Sequence, residues 1–290
     1  MYIYSMDSKK YFDSAKVSEK TLKTYHSLYV NHLKQYEKSG LIPLKDVEKN
    51  ADKILKKEIS NNTIMTILSL YINIMIANGI DETKVKEKHR NLFDKKKSDT
   101  MERKSKKNSL PSYDELISFN NHLYKKQEWL SYIVSFLLTN YVVRNEDIDV
   151  KIIDNIKQNN GKDNYILLRK TDCVYIRNRY KTFKNYGVKK IVIRSKKFRN
   201  AIIEFIKKIN ESGKSQLYED GILPLFTSNS NLTQTITNHT YQHITESDIA
   251  KIVVSNVDLN KNMKEIDRIS NSRGTTRDVL LSEYRLSDRT

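Results

Sequence analysis

Three basic side chains stand in settings that suit work on a negatively charged oxygen. Arg144 follows an apolar run in LLTNYVVRNEDIDV, with Asp147 three residues on. Lys181 closes a strand-like segment in YIRNRYKTFKNYGVKKIVI, and Arg273 stands at the expected opening of a helix in ISNSRGTTRDVLLSEY. A guanidinium is a planar fork of donors, so two of them can hold the non-bridging oxygens of a phosphate with paired hydrogen bonds. Each residue also has a plainer reading. Arg144 could pair with Glu146 or Asp147 on the surface, Lys184 competes with Lys181, and Arg273 could be an ordinary helix-start residue with Arg277 as its rival.

The surroundings of Lys181 are strongly basic. Between Cys173 and Ile203 there are ten basic residues and no acidic ones. Arg177, Arg179, Lys184, Lys189 and Lys190 are candidate contacts to a phosphate backbone. Tyr175, Tyr180, Phe183 and Tyr186 are interleaved with them and divide between stacking on a ligand and facing the core. His239 and His243 are four apart but have no third ligand nearby, so no metal site is expected. A single cysteine, Cys173, excludes an internal disulfide and a Cys-based zinc site. No phosphate-binding glycine loop is present, and no cofactor is expected.

The elements that must position these residues follow from periodicity. The first hundred residues read as a small helical bundle. Its first helix is expected to start at an N-cap on Ser18, with Val17 and Leu22 as a hydrophobic staple, and to bring Leu22, Tyr25, Leu28, Tyr29, His32, Leu33 and Tyr36 onto one face. Further helices are expected over 45–57, from Asn62 to a stop at Gly79, and from about Asp81. Residues 94–109, DKKKSDTMERKSKKNS, carry seven basic and three acidic residues and read as an exposed linker, with a solvated helix as the alternative for the first half. A second domain opens at Leu110, where Ser112 and Glu115 suit a capping box. Helices carrying Leu116, Phe119 and Leu123, then Trp129 to Val142, are followed by strands over 165–168, 174–180 and 188–193. A helix over 197–209, a polar loop over 227–240 and two last helices complete the chain.

Composition sets wider bounds. The 290 residues carry a formal net charge of +17, and the pI is about 9.6. Such a charge repels itself unless an anion shares it; nucleic acid is the commonest such partner and an anionic membrane surface the second. AT-rich codons also enrich Lys, Asn, Ile and Tyr, which gives the charge a second source. Seven glycines and three prolines argue against a glycine-rich all-β fold. The start lacks a signal-peptide pattern, and the uncharged run from Ile59 to Ile80 is broken by enough polar residues to read as a buried helix. An intracellular protein is expected.

The three boxes, in this order, resemble those of the tyrosine recombinase (phage-integrase-like) family. Arg144 matches the first arginine box, Lys181 the β-hairpin lysine and Arg273 the second arginine box, which implies that Lys181 gives a proton to the leaving oxygen. The helices before Leu110 are similar to the family's core-binding (SAM-like) domain. The resemblance implies a mainly α fold with a small antiparallel sheet, built from a core-binding domain (1–93), a basic linker (94–109) and a catalytic domain (110–290). It implies a clamp around double-stranded DNA, a dimer to tetramer on that DNA, and breakage and rejoining of strands through a 3′-phosphotyrosine without metal or cofactor. Two departures stand out. Ser270 occupies the position where the family places a histidine. Only 17 residues follow Arg273, and Tyr284 lies about 16 Å from it along a continuous helix. The sequence therefore implies that the nucleophile is missing and that Tyr284 is a helix or core residue. The alternatives are a non-catalytic DNA-binding or regulatory fragment, and a basic helical protein that merely holds nucleic acid. A virus or mobile element is the source that the codon bias suggests.

Overall fold

The computed structural model describes residues 5–17, 19–106, 110–212, 221–226 and 231–286. The chain divides into two compact units, Met1–Lys106 and Lys107–Thr290. It is mostly helical, with a five-stranded sheet in the second unit. Among the described residues, no helix is long and apolar enough to cross a membrane.

The first unit is built around one helix. Strand β1 (Ser5–Met6) pairs antiparallel with β2 (Ile42–Pro43). The helices are α1 (Ser8–Ser14), α2 (Glu19–Leu28), α3 (Val47–Leu55), α4 (Asn61–Ala77) and α5 (Thr83–Lys106). In α4, Ile64, Ile67, Leu68, Leu70, Tyr71, Ile74 and Met75 are all buried, as expected of a helix apolar on nearly every side. Ser60 caps α4 by accepting from the Thr63 backbone N–H at 3.1 Å. At the far end, Asn78 exchanges two hydrogen bonds with the Asp7 backbone, at 3.0 and 2.9 Å, and ties the start of the chain to the end of α4.

Two expectations for this unit change, and a third falls outside the described residues. The long first helix stops at Leu28 and continues as a π turn over Tyr29–Leu33 and a 3-10 turn over Lys34–Tyr36. Its expected cap, Ser18, lies outside the described residues, and Val17 is exposed. The expected linker is helical as far as Lys106, because nothing from Asp94 to Lys106 breaks a helix: the stretch has no glycine or proline. Residues 107–109 lie outside the described residues.

The second unit packs helices on a sheet. Helix α6 (Tyr113–Lys125) begins with the expected capping box: Ser112 Oγ accepts from Glu115 N–H at 3.2 Å, and Glu115 Oε2 accepts from Ser112 N–H at 2.7 Å. There follow α7 (Trp129–Tyr141), α8 (Asn145–Ile148), β3 (Val150–Ile153), β4 (Asn164–Leu168), β5 (Cys173–Arg177), α9 (Phe183–Tyr186), β6 (Lys189–Ile193) and α10 (Lys196–Glu211). The chain closes with β7 (Leu223–Pro224), α11 (Leu232–Thr237), α12 (Glu246–Ser255), α13 (Met263–Arg273) and α14 (Arg277–Tyr284). The strand order is β6-β5-β4-β3-β7.

The sheet is mixed rather than purely antiparallel. The connection over residues 154–163 returns the chain so that β3 and β4 run parallel, with Val150 opposite Asn164. Period-two alternation divides the strand residues between two faces. Ile166, Cys173 and Tyr175 join the main core with Ile133, Leu137, Phe198, Ile202 and Val253. Tyr165, Leu167, Val174 and Ile176 form a smaller cluster on the other face. Burial pushes the Cys173 thiol up to about 12, so this cysteine is a core residue and not a reactive one. Part of the expected polar loop over 227–240 is helix α11, whose first turn is held by Asn231.

Candidate active site

The site forms where α7 gives way to α8 and α13 gives way to α14. After α7, Val142 takes a left-handed conformation with φ 50° and ψ 39°. A β-branched residue there is strained, at a cost of about 1–3 kcal/mol. Val142 is nonetheless almost fully buried, and its carbonyl accepts from Arg273 Nη1 at 2.8 Å. Two residues on, Arg144 is extended and its backbone N–H donates to Asp147 Oδ2 at 2.9 Å. The Arg144 side chain reaches the Arg273 carbonyl, with Nη1 to oxygen at 2.5 Å. The two arginines of the sequence reading are therefore joined.

Arg273 closes α13 rather than opening a helix. Gly274 follows in the left-handed region at φ 67°. A Cβ at that position would lie 2.6 Å from Thr182 Oγ1 and 3.1 Å from the Tyr180 ring. Glycine is thus required both by φ and by space. Thr182 Oγ1 donates to the Gly274 carbonyl at 2.7 Å and pins the β5–β6 hairpin to this turn. Beyond it, Thr276 caps α14.

The break overturns the separation expected between Tyr284 and Arg273, although Tyr284 is the helix residue packed against the core that was expected. α13 and α14 are two helices and not one, so the path along a continuous axis does not apply. The Tyr284 hydroxyl accepts from Arg273 Nη2 at 2.8 Å, and the Arg273 guanidinium lies 4.3 Å from the centre of its ring. Arg273 Nη2 also donates to Glu246 Oε1, while Glu246 Oε2 accepts from the Asn145 backbone N–H at 3.1 Å. Burial opposes the charge on Arg273, but Glu246 and Tyr284 outweigh it and hold the guanidinium pKa above its ordinary value. For Arg144 the balance runs the other way: burial, then the neighbouring charge of Arg273, lowers it.

Arg177 departs furthest from expectation. In place of a DNA-facing side chain, it is completely buried. Its Nη2 donates to Asp147 Oδ2 at 2.6 Å, its Nη1 donates to the Ser272 carbonyl, and its guanidinium lies 4.4 Å from the Tyr180 ring centre. Asp147 is also fully buried; desolvation raises its carboxyl pKa, against the pull of Arg177 and the Arg144 N–H. Strand parity carried the signal for Arg177, since it shares a face with Cys173 and Tyr175.

The other basic residues separate by exposure. Lys181, Lys184 and Lys190 are exposed. Arg179 is exposed and paired with Asp149 at 2.8 Å. Lys189 is partly buried, with Nζ donating to the Asn271 carbonyl and lying 5.5 and 4.9 Å from the ring centres of Tyr180 and Tyr186. Arg277, the rival to Arg273, pairs with Asp267 at the surface. Ser270 Oγ donates to the Asp267 carbonyl of its own helix at 3.0 Å. His239 Nδ1 bonds Ser131 Oγ at 2.9 Å, and no group of three metal-ligating side chains occurs among the described residues. Glu246 was not anticipated: TESD reads as a helix cap, and nothing in it points to an arginine 27 residues later.

No family model matches the chain, and no curated protein matches it by sequence. Among solved structures, a crystal structure of XerA recombinase is similar with a TM-score of 0.38 and 14% sequence identity, over 97% of this chain and 94% of that one.

Proposed function

We propose that the second unit binds double-stranded DNA and breaks and rejoins its strands by transesterification, in the manner of a tyrosine recombinase, with the first unit as a second DNA-binding surface and two to four copies assembling on the DNA. The observation that carries this reading is the joining of Arg144, Arg273 and the Tyr284 hydroxyl in one place, beside a hairpin rich in lysine. In this reading Arg144 and Arg273 bind the scissile phosphate, and charge builds on its non-bridging oxygens as Tyr284 attacks phosphorus. Phosphate takes the place of the Glu246 carboxylate on Arg273. The exposed Lys181, Lys184 and Lys190, with Arg179, hold the flanking backbone.

The test starts from a pool of randomised duplexes, from which those retained by the protein are recovered. Cleavage is read as a protein–DNA adduct that survives SDS, and the modified peptide is identified by mass spectrometry. The expected adduct lies on Tyr284. Tyr284→Phe should abolish it while duplex binding persists, and Arg144→Ala or Arg273→Ala should each slow its formation by about 100-fold or more. Tight binding without an adduct would instead support a non-catalytic DNA-binding protein. Binding that is indifferent to a combined Arg144, Lys181 and Arg273 replacement would reduce the chain to a general nucleic-acid binder.

A further inference from the structure

The five-stranded sheet has two ends, and the candidate site lies at one of them. Strands β5 and β6 pair antiparallel, with Arg177 opposite Lys189 at that end and Cys173 opposite Ile193 at the other. Four residues of strand set Cys173 about 13 Å from Arg177. The far end gathers the β4–β5 turn (169–172), the residue after β6 and the first turn of α10. These carry Arg169, Lys170, Arg194, Lys196, Lys197 and Arg199, all exposed except the half-buried Arg199.

The patch is held in shape but not neutralised. Arg199 Nε donates to the Arg169 carbonyl at 2.9 Å, which ties α10 to the turn. Arg169 pairs with Asp172 through bonds of 2.6 and 2.7 Å. Lys197 Nζ donates to Asn121 Oδ1 at 3.1 Å and lies 5.7 Å from the Tyr124 ring centre, and both partners are uncharged. Among the described residues, the side chains of Lys170, Arg194 and Lys196 have no partner. Asp154 adds a second carboxylate at this end, just past the pairing of Ile153 with Leu167. Three of the six cations fall in the first turn of α10, which holds no acidic residue and where the helix dipole adds to their charge. Like charges gathered this way repel one another until an anion shares their field. Their spread over three elements on an open surface suits an extended row of phosphates rather than one small anion.

We propose that this end of the sheet is a further binding surface for duplex DNA, which takes a stretch separate from the one at the hairpin. Duplex DNA is stiff over about 150 base pairs, so a helix lying against one end of the sheet does not turn back to the other. One copy of unit 2 thus holds two stretches of duplex apart. The proposal rests on the reading that places duplex at the hairpin, and it does not depend on strand cleavage.

The test uses the full chain and two pools of short random-sequence duplexes, one carrying a fluorescent donor and the other an acceptor. The unaltered protein should bring the pools together and raise energy transfer. The combined variant Lys170→Gln, Arg194→Gln, Lys196→Gln and Lys197→Gln should still bind one duplex and lose the transfer. Lys196→Gln alone should keep some transfer, and the log–log salt slope of its midpoint should fall by about one, since each phosphate contact contributes about 0.9. That single variant serves if the fourfold one does not fold. Transfer retained by the fourfold variant, or a slope untouched by Lys196→Gln, would assign the bridging to assembly of copies and overturn the proposal. Tight duplex binding by the unaltered protein without transfer would overturn it as well. Capture of phosphatidylserine vesicles through the patch, with no effect of the substitutions on duplex, would make it a membrane contact instead. The combined variant Lys181→Gln, Lys184→Gln and Lys190→Gln separates the two readings, and it should weaken binding of the first duplex. If it changes nothing while the fourfold variant abolishes all duplex binding, the hairpin reading falls and the far end stands as the duplex-binding surface.

Discussion

The two units spend their interiors differently. In the first, the centre is α4 and its apolar neighbours, and pairs such as Lys84–Glu48 and Lys23–Glu19 stay in solvent. In the second, an apolar core of comparable type surrounds two ion pairs, Arg177–Asp147 and Arg273–Glu246, that are almost fully withdrawn from water. Removing charges from water costs several kcal/mol per ion, and a buried pair often does no better than apolar residues of the same volume. The second arrangement is poor economy if stability is the only aim. It makes sense where fixed guanidinium groups are needed at a defined position, since a preorganised donor spends no energy reorienting when charge develops.

The contrast can be broken most sharply at Asp147. Asp147→Ala leaves Arg177 buried without its carboxylate and should cost about 3–5 kcal/mol of stability, seen as an early transition in urea denaturation. The double change Asp147→Leu with Arg177→Met should recover most of that loss while abolishing adduct formation. If the double variant is as unstable as the single one, the ion pair is a stabilising element and the contrast fails.

In the first unit the largest effect should come from an apolar truncation. Leu68→Ala in the buried α4 should cost about 2–5 kcal/mol through lost burial and a residual cavity. Removing the helix cap with Ser60→Ala should cost about 1 kcal/mol. Both are read by denaturant titration. At the small end, Glu48→Gln should leave the transition unmoved, because its partner Lys84 lies in solvent.

A pH titration sharpens the comparison from another side. His239 is held below the ordinary imidazole value by burial, with Glu128 opposing. Between its folded value and the unfolded value of about 6.5 the unfolded chain binds more protons, so stability falls as pH drops below about 6.5. His239→Gln should remove that component of the slope. A slope unchanged by the substitution would assign it to other groups.

Much of the scaffold was legible in the sequence because it depends on local chemistry. The Ser112–Glu115 box, the alternation that gives β4, β5 and β6, and the apolar run of α4 all act within a few residues. Arg144 and Arg273 were singled out through the resemblance of their segments to one family's boxes, and the two residues are in contact. What could not be read depends on turns that bring distant segments together. Gly274 separates α13 from α14 and so carries Tyr284 back to Arg273, and Glu246 comes from a helix whose motif has its own local explanation. The parallel pairing of β3 with β4 depends on the return path of residues 154–163, which has no strong strand pattern of its own.

The ladder of four carbonyls at the end of α13, which accept from Lys189, Arg177, Arg144 and Thr182, has a consequence for how such a site drifts over generations. Its acceptors are main-chain oxygens, present whatever residue stands at each position. The exposed side chain of Asn271 can be exchanged without removing the acceptor for Lys189. The fixed requirement falls instead on Gly274, where conformation and space together leave no room for a side chain. Selection on this frame would therefore leave a faint trace, one glycine and a set of cations scattered along the chain, while the residues that carry the frame itself are free to change their names.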